Sequence, residues 1–311
     1  ECARPLARDL AVLDALIDAS GEPDLHARLY EPMRKHTTLR VGGPAQFWIE
    51  PAGITSLVAV VNYCRATGLP FRVVGRGSNL LVRDGGIPGV VIHPVRGEFA
   101  SIQVDGACLR AGVGVRAKAL AWAAREAGIG GFEWLEGIPG NVGGCLRMNA
   151  GAMGLQTFDQ VESVLVLDPT GSVKEVAAVE LGARYRSVPA LSDNIALSAT
   201  FRGRPDTPVE TIDKIMAGSR RKRELSQPVA ASAGCFFKNA DEIPAGLLID
   251  QLGLKGMRSG AAVVSDVHGN FLVNEGGASA RDFLMLIEKI KRQAAAAMRT
   301  CPWAWGCRAA T

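Results

Sequence analysis

The chain lacks the features that would place it in a membrane, a secretory route or a zinc protein. No apolar stretch approaches the roughly 18 residues of a membrane span. Its seven cysteines form no metal-ligand spacing. Their odd number, spread along the sequence, points to free thiols in a reducing compartment, so a cytosolic location is expected. Aromatic residues are only 6% of the 311 and are not interleaved with a dense Lys/Arg run, which argues against a nucleic-acid partner. After Glu288 there is no acidic residue at all. What remains is an ordinary globular balance, 48% hydrophobic and 21% charged with a formal charge of +4. The mild positive excess suits an anionic small molecule, and the length suits two or three domains.

The most unusual stretch is Gly137 to Gly154, in which six of eighteen residues are glycine and none is acidic. With Ile138, Val142, Leu146 and Met148 among them, it reads as a buried loop wrapped around a ligand, not as a regular helix or a solvated linker. A backbone with so few β-carbons can bring several N–H groups close to a flat or charged group. A second candidate cradle, Gly75-Arg-Gly-Ser-Asn-Leu-Leu81, follows the apolar run Phe71 to Val74, read as a buried strand. It is not a dinucleotide fingerprint: the third glycine is missing, and a strand instead of a helix is expected next.

Around these loops the pattern gives mixed helices and strands, an α+β class. An amphipathic helix with Leu10, Leu13 and Ile17 inward opens the chain in place of a signal peptide. Ser56 is read as the cap of a helix facing Leu57, Val60, Val61 and Cys64 inward and stopped by Gly68. A helix over 115–127 precedes the glycine loop. A hairpin of 161–167 with 173–176 turns at Asp168-Pro-Thr-Gly171, and a strand covers 195–201. Arg202 to Pro208 is the best linker. Beyond it, Thr207 and Pro208 open a helix whose basic end, Arg220 to Arg223, is either a solvated terminus or an anion site. Strands at 261–264 and 271–274, and a final helix capped by Ser279 with Phe283, Leu284, Ile287 and Ile290 inward, complete the pattern.

Six fragments in this order resemble the bacterial UDP-N-acetylenolpyruvoylglucosamine reductases, the MurB family. They are Thr38 to Ala45, Gly75 to Leu81, Gly137 to Gly144 with Met148 to Gly154, Tyr185-Arg186, Ser232 to Asn239, and Ala245 to Gly256. The resemblance implies a two-part FAD-binding domain of the vanillyl-alcohol-oxidase (PCMH) type, followed by a C-terminal α+β substrate domain. The boundaries then expected are an N-terminal helix to residue 21, FAD subdomains over 22–97 and 98–206, a substrate domain over 207–298 and a divergent tail over 299–311. It also implies NADPH as hydride source, a UDP-sugar substrate, a cytoplasmic step of peptidoglycan precursor synthesis, and a monomer.

By motif position, the resemblance assigns FAD to Gly75, Gly77, Ser78, Asn79, Leu80, Ile138, Pro139, Gly140, Val142, Gly143, Gly144, Asn149, Gly151 and Gly154. It gives the substrate to Tyr185, Arg223, Lys238, Asn239 and His268, the last equally readable as a structural turn histidine. The implied reaction adds hydride to an enol ether conjugated to a carboxylate, so the site needs a fixed cation and a proton donor. Arg186 is the expected cation. The family's usual donor is a serine, and Cys235 stands in that position. A neutral thiol can protonate an enolate, whereas a thiolate beside Lys238 cannot. The family also places a glutamate in a C-terminal Leu-x-x-Glu-Val-Arg segment, which this sequence does not contain. Two other readings stay open: a different oxidoreductase of the same flavin fold, and a flavin-binding homologue acting as a sensor or partner.

Overall fold

A computed structural model describes residues 7–240 and 243–300. The tail expected over 299–311 therefore falls, from Cys301 on, outside the described residues, as do residues 1–6 of the segment expected as an N-terminal helix. By packing, the chain divides into two units that do not follow chain order. The first holds the chain up to Glu31, Ala45–Arg76 and Pro88–Lys222; the second holds Pro32–Pro44, Gly77–Ile87 and the chain from Arg223. The expected boundaries run consecutively and so differ from this division. Two short pieces of the segment 22–97 pack with the C-terminal part, and hydrogen bonds join each to it: Thr38 Oγ1 donates to the Ser232 carbonyl and Asn274 Nδ2 to the Leu39 carbonyl, while Asp84 accepts from the Ala280 and Arg281 N–H groups. The segment 202–208 is likewise no free linker. Arg204 and Gly130 exchange backbone hydrogen bonds, and the Thr207 N–H donates to Gly128.

The first unit contains helices α1 (Ala7–Ser20), α2 (Ile54–Thr67), α3 (Ala117–Glu126) and α4 (Val142–Met148), and most of α5 (Val209–Ser226). In α1 the inward stripe is centred on fully buried Leu16, with Val12, Leu13 and Ile17 beside it. Leu10, expected inward, is 45% exposed. Asp9 is drawn in on that turn instead, accepting hydrogen bonds from the Tyr30 hydroxyl and the Gln46 amide. In α2 the spacing 57, 60, 61, 64 does define the buried face, and Gly68 ends it in the left-handed conformation. The cap, however, is Gly53. The helix starts two residues before Ser56, whose hydroxyl donates back to the Gly53 carbonyl.

Four strands, His26–Pro32, Pro44–Glu50, Ile87–Ile92 and Phe71–Val73, form one sheet in that order, its last pair parallel. Phe71–Val73 is an exposed edge rather than the buried strand expected, since only one side of it is paired. No strand follows the Gly75 loop before Ile87. A five-stranded antiparallel sheet runs Val173–Ala177, Val161–Leu167, Ile195–Arg202, Cys108–Gly112, Ile102–Asp105. Its Leu109, Ala111, Val164, Val166, Leu197 and Ala199 are buried in the main core with α3 and α4.

The second unit contains α6 (Ala245–Gln251), α7 (Ala280–Thr300) and an antiparallel sheet of Ala231–Cys235, Phe271–Asn274, Ala262–Val264 and Arg258–Ser259. Its core gathers Val264, Leu272, Phe283, Leu286 and Ile290 with Leu39 and Val41 from the early segment. Leu286 takes the fully buried place expected for Leu284, which is half-buried. Ser279 caps α7 as expected, its hydroxyl accepting from the Asp282 N–H at 3.1 Å. Asp84 adds a second cap, accepting from the N–H groups of Ala280 and Arg281.

Candidate active site

In the first unit the long glycine stretch is only partly buried, against the expectation of a buried loop: Asn141, Val142, Cys145, Leu146 and Asn149 are enclosed, while Pro139, Gly144, Arg147, Met153 and Gly154 are exposed. Nor is it all loop, since residues 142–148 form the short helix α4. Asn141 joins the two glycine segments. Its Oδ1 accepts from the Arg76 N–H at 2.8 Å, and its Nδ2 donates to the Gly114 carbonyl. The N–H groups of Val142 and Gly143 are spent on the carbonyls of Val115 and Val113. Gly144 differs. Its N–H has no protein acceptor among the described residues, and a β-carbon there would meet nothing within 4 Å.

In the second unit, none of the backbone N–H groups from Gly77 to Leu80 donates to a protein acceptor among the described residues. Gly77 is buried, so its unpaired N–H is costly unless a bound group accepts from it. A run of free donors with no acidic side chain among them fits a diphosphate, as FAD would present. The glycine at 77 also serves packing: with φ at +62°, a β-carbon would lie 2.1 Å from the His36 carbonyl oxygen. That second duty is invisible in the motif.

After α4 the chain turns at Asn149 (φ +40°) into a small hairpin, Gly151–Ala152 with Leu155–Gln156. Asn149 is only 2% exposed, and its amide is committed to the protein on three sides. Nδ2 donates to Gln156 Oε1 (2.9 Å) and to the Arg184 carbonyl (3.2 Å), while Oδ1 accepts from the Phe158 N–H (3.1 Å). Arg184 and Ser187 close a turn with Tyr185 and Arg186 at its tip. Arg186 has φ +53°, a left-handed conformation that costs an L-residue about 1–2 kcal/mol. Its guanidinium donates to the Gly151 carbonyl at 3.3 Å and lies 5.7 Å from the centre of the Tyr185 ring. Beside it, Cys145 is buried, and burial pushes that thiol up to about 12 despite the Arg186 charge.

The second unit brings Arg223, Cys235, Asn239 and His268 into one C-terminal fold. Cys235 ends its strand beyond a β-bulge and is exposed. The following residues are fixed by Asn270, which sequence reasoning missed; a lone buried asparagine carries no periodic signal. Asn270 is 1% exposed and hydrogen-bonds both backbone groups of Phe237 at 2.8 Å. Arg223 lies within electrostatic reach of Cys235, and burial lowers its pKa. Among the described residues it has no carboxylate partner. Its neighbour on the basic helix end, Arg220, is already paired with Glu136 at 2.8 Å. His268 is tied into its turn, Nδ1 accepting from the Asn270 N–H and the ring lying 4.9 Å from Phe271; burial lowers its pKa. Asn239 Oδ1 accepts from the Ala245 N–H at the start of α6. Lys238 is exposed. Arg186 and Tyr185 thus belong to the first unit, and Cys235, Arg223, Lys238, Asn239 and His268 to the second.

Residues 45–177 match the model of an FAD binding domain, and 226–300 match that of the UDP-N-acetylenolpyruvoylglucosamine reductase C-terminal domain. The UDP-N-acetylenolpyruvoylglucosamine reductase of Methylorubrum extorquens is 43% identical over 284 residues, covering 90% of this chain and 91% of its own. The one from Geobacter metallireducens is 44% identical over 261 residues, covering 84% and 86%. The crystal structure of the Thermus caldophilus enzyme superposes with a TM-score of 0.76 at 38% identity, covering 86% of this chain and 94% of that one. The fold is α+β, an FAD-binding domain followed by a C-terminal reductase domain, and the chain belongs to the UDP-N-acetylenolpyruvoylglucosamine reductase family.

Proposed function

We propose that the protein reduces the enolpyruvyl ether of UDP-N-acetylglucosamine to UDP-N-acetylmuramate with NADPH and FAD, a step in peptidoglycan precursor synthesis. The likeness that runs through both domains, 43% identity over 90% of the chain, carries this reading. The backbone donors at Gly77 to Leu80 and at Gly144, without a protein acceptor among the described residues, support FAD as the resident group.

Bound FAD, once reduced by NADPH, supplies the hydride that adds to the terminal carbon of the enol ether. Charge then develops on the substrate carboxylate and the adjacent carbon. Arg186 holds a fixed guanidinium for that carboxylate; because its backbone is set before substrate arrives, little reorganisation is needed as charge grows. Cys235 gives its thiol proton to the adjacent carbon and is re-protonated from solvent, to which it is exposed. Arg223, a half-buried cation without a carboxylate partner among the described residues, takes the nucleotide diphosphate, with Tyr185, Lys238, Asn239 and His268 lining the sugar nucleotide. Among the described residues no helix is long and apolar enough to cross a membrane, and a cytoplasmic monomer without nucleic acid fits this substrate.

The test is anaerobic reduction of the bound flavin by NADPH, followed by reoxidation on adding the enolpyruvyl sugar nucleotide. Reoxidation with formation of UDP-N-acetylmuramate supports the proposal; reduction that the sugar nucleotide cannot reverse overturns it.

A further inference from the structure

The buried amide of Asn149 does not face outward toward a ligand; every polar atom of it is engaged by the protein. Its Nδ2 spans two elements, the Gln156 side chain of the hairpin and the Arg184 carbonyl of the turn that carries Arg186. That same carbonyl accepts the Ser187 N–H that closes the turn. Gln156 is itself held by Asp159 in a capping box, its side chain accepting from the Asp159 N–H and its own N–H donating to Asp159 Oδ2. The Arg186 guanidinium then returns to the hairpin at the Gly151 carbonyl. Turn and hairpin are therefore tied at two points, and Asn149 supplies the one at the base of the turn. A left-handed arginine needs such restraint, because an exposed turn without it would relax to the negative-φ conformations that arginine prefers.

We propose that Asn149 is the positioning residue for Arg186: its Nδ2 clamp on the Arg184 carbonyl holds the guanidinium where hydride addition needs it. This rests on the reading of Arg186 as the catalytic cation. It assigns Asn149 to a substrate half-reaction, not to holding FAD.

Asn149→Gly is the informative variant, since glycine adopts φ +40° without strain and so removes the clamp while keeping the backbone of the helix end. Four results are expected. FAD content and the rate of flavin reduction by NADPH stay within twofold of the parent. Reoxidation by the enolpyruvyl sugar nucleotide slows about 10–100-fold, the usual scale for a misplaced catalytic group. Tryptic cleavage of the Arg186–Ser187 bond in the flavin-loaded protein without substrate quickens about tenfold, because the turn opens locally. In an Arg186→Ala background, Asn149→Gly slows reoxidation by less than a further twofold, the signature of two residues acting as one. Asn149→Asp, which keeps the acceptor for Phe158 but loses the donor, should reproduce the slow reoxidation. Loss of FAD, an equal slowing of both half-reactions, unchanged reoxidation, or additive effects in the double variant would each overturn the proposal. If Arg186→Ala alone leaves reoxidation intact, it is the reading of Arg186 that fails, while unchanged tryptic cleavage in Asn149→Gly would show that the clamp itself does not order the turn.

Discussion

Asn270 and Phe237 are joined by a reciprocal pair of hydrogen bonds, Phe237 N–H to Oδ1 and Nδ2 to the Phe237 carbonyl, each 2.8 Å. The side chain continues the sheet ladder where the backbone pairing of Phe271 with Cys235 ends, and so fixes the chain just after the exposed thiol. Asn270→Ala leaves two partly buried backbone groups unpaired, at about 1–3 kcal/mol each. Urea denaturation should show a loss of about 2–4 kcal/mol, with slower reoxidation of reduced flavin by substrate. Asn270→Asp keeps one bond and should fall between.

Cys235 is proposed as proton donor. Cys235→Ser should retain reoxidation within about tenfold, since a hydroxyl can do the same work, whereas Cys235→Ala should lower it by about 10²–10⁴. Single-turnover stopped-flow in H₂O and D₂O checks this; an alanine variant at parental rate would remove the thiol from the mechanism.

The thiols should sort by burial. Burial pushes Cys64 up to about 11 and Cys145 up to about 12, so neither presents thiolate at pH 8. Iodoacetamide should label exposed Cys235 in the native protein and spare Cys64 and Cys145, and saturating sugar nucleotide should protect Cys235. Peptide mass spectrometry after timed quenching reads all three.

Two left-handed glycines should respond differently to alanine. A β-carbon at Gly68 meets nothing within 4 Å, but one at Gly77 lies 2.1 Å from the His36 carbonyl oxygen. Gly68→Ala should cost about 1 kcal/mol and leave the protein yellow. Gly77→Ala should cost more, displace the free N–H run and empty the protein of FAD, as thermal melts and the 450 nm absorbance will report.

Glu136 should give stability a carboxylate pH dependence. Its side chain is 1% exposed; burial alone would raise its pKa, but hydrogen bonds from Lys118, Trp122 and Arg220 outweigh this and hold it below 4.5. A group lowered on folding contributes above its unfolded pKa and loses that contribution as pH falls through the folded value. The contribution should be complete above about pH 5.5 and wane below pH 4.5. In Glu136→Gln, urea midpoints should lose that part of the acid dependence.

Local pattern made much of this protein legible. The face Leu57, Val60, Val61, Cys64, the hairpin turn at Asp168 to Gly171 and the Ser279 cap all express rules that act within a few residues, and the order of six motifs identified the family. What the sequence by itself determined is most of the inventory: many of the helices and strands, though not α4, which it read as loop, nor the empty stretch after Gly75, where it expected a strand; which loops offer backbone donors; and that an arginine and a cysteine stand where chemistry is expected. The tertiary structure alone decided that Pro32–Pro44 and Gly77–Ile87 join the second unit, through contacts such as Thr38 to Ser232, 194 residues apart. It alone decided that Gly77 makes room for a crossing backbone, that Arg186 is left-handed, and that Asn141, Asn149 and Asn270 are clamps. The physical reason is shared. A periodic apolar face reports burial against any core, but a single amide satisfies whichever distant carbonyl the folded chain brings to it, and that partner leaves no mark in the neighbouring sequence.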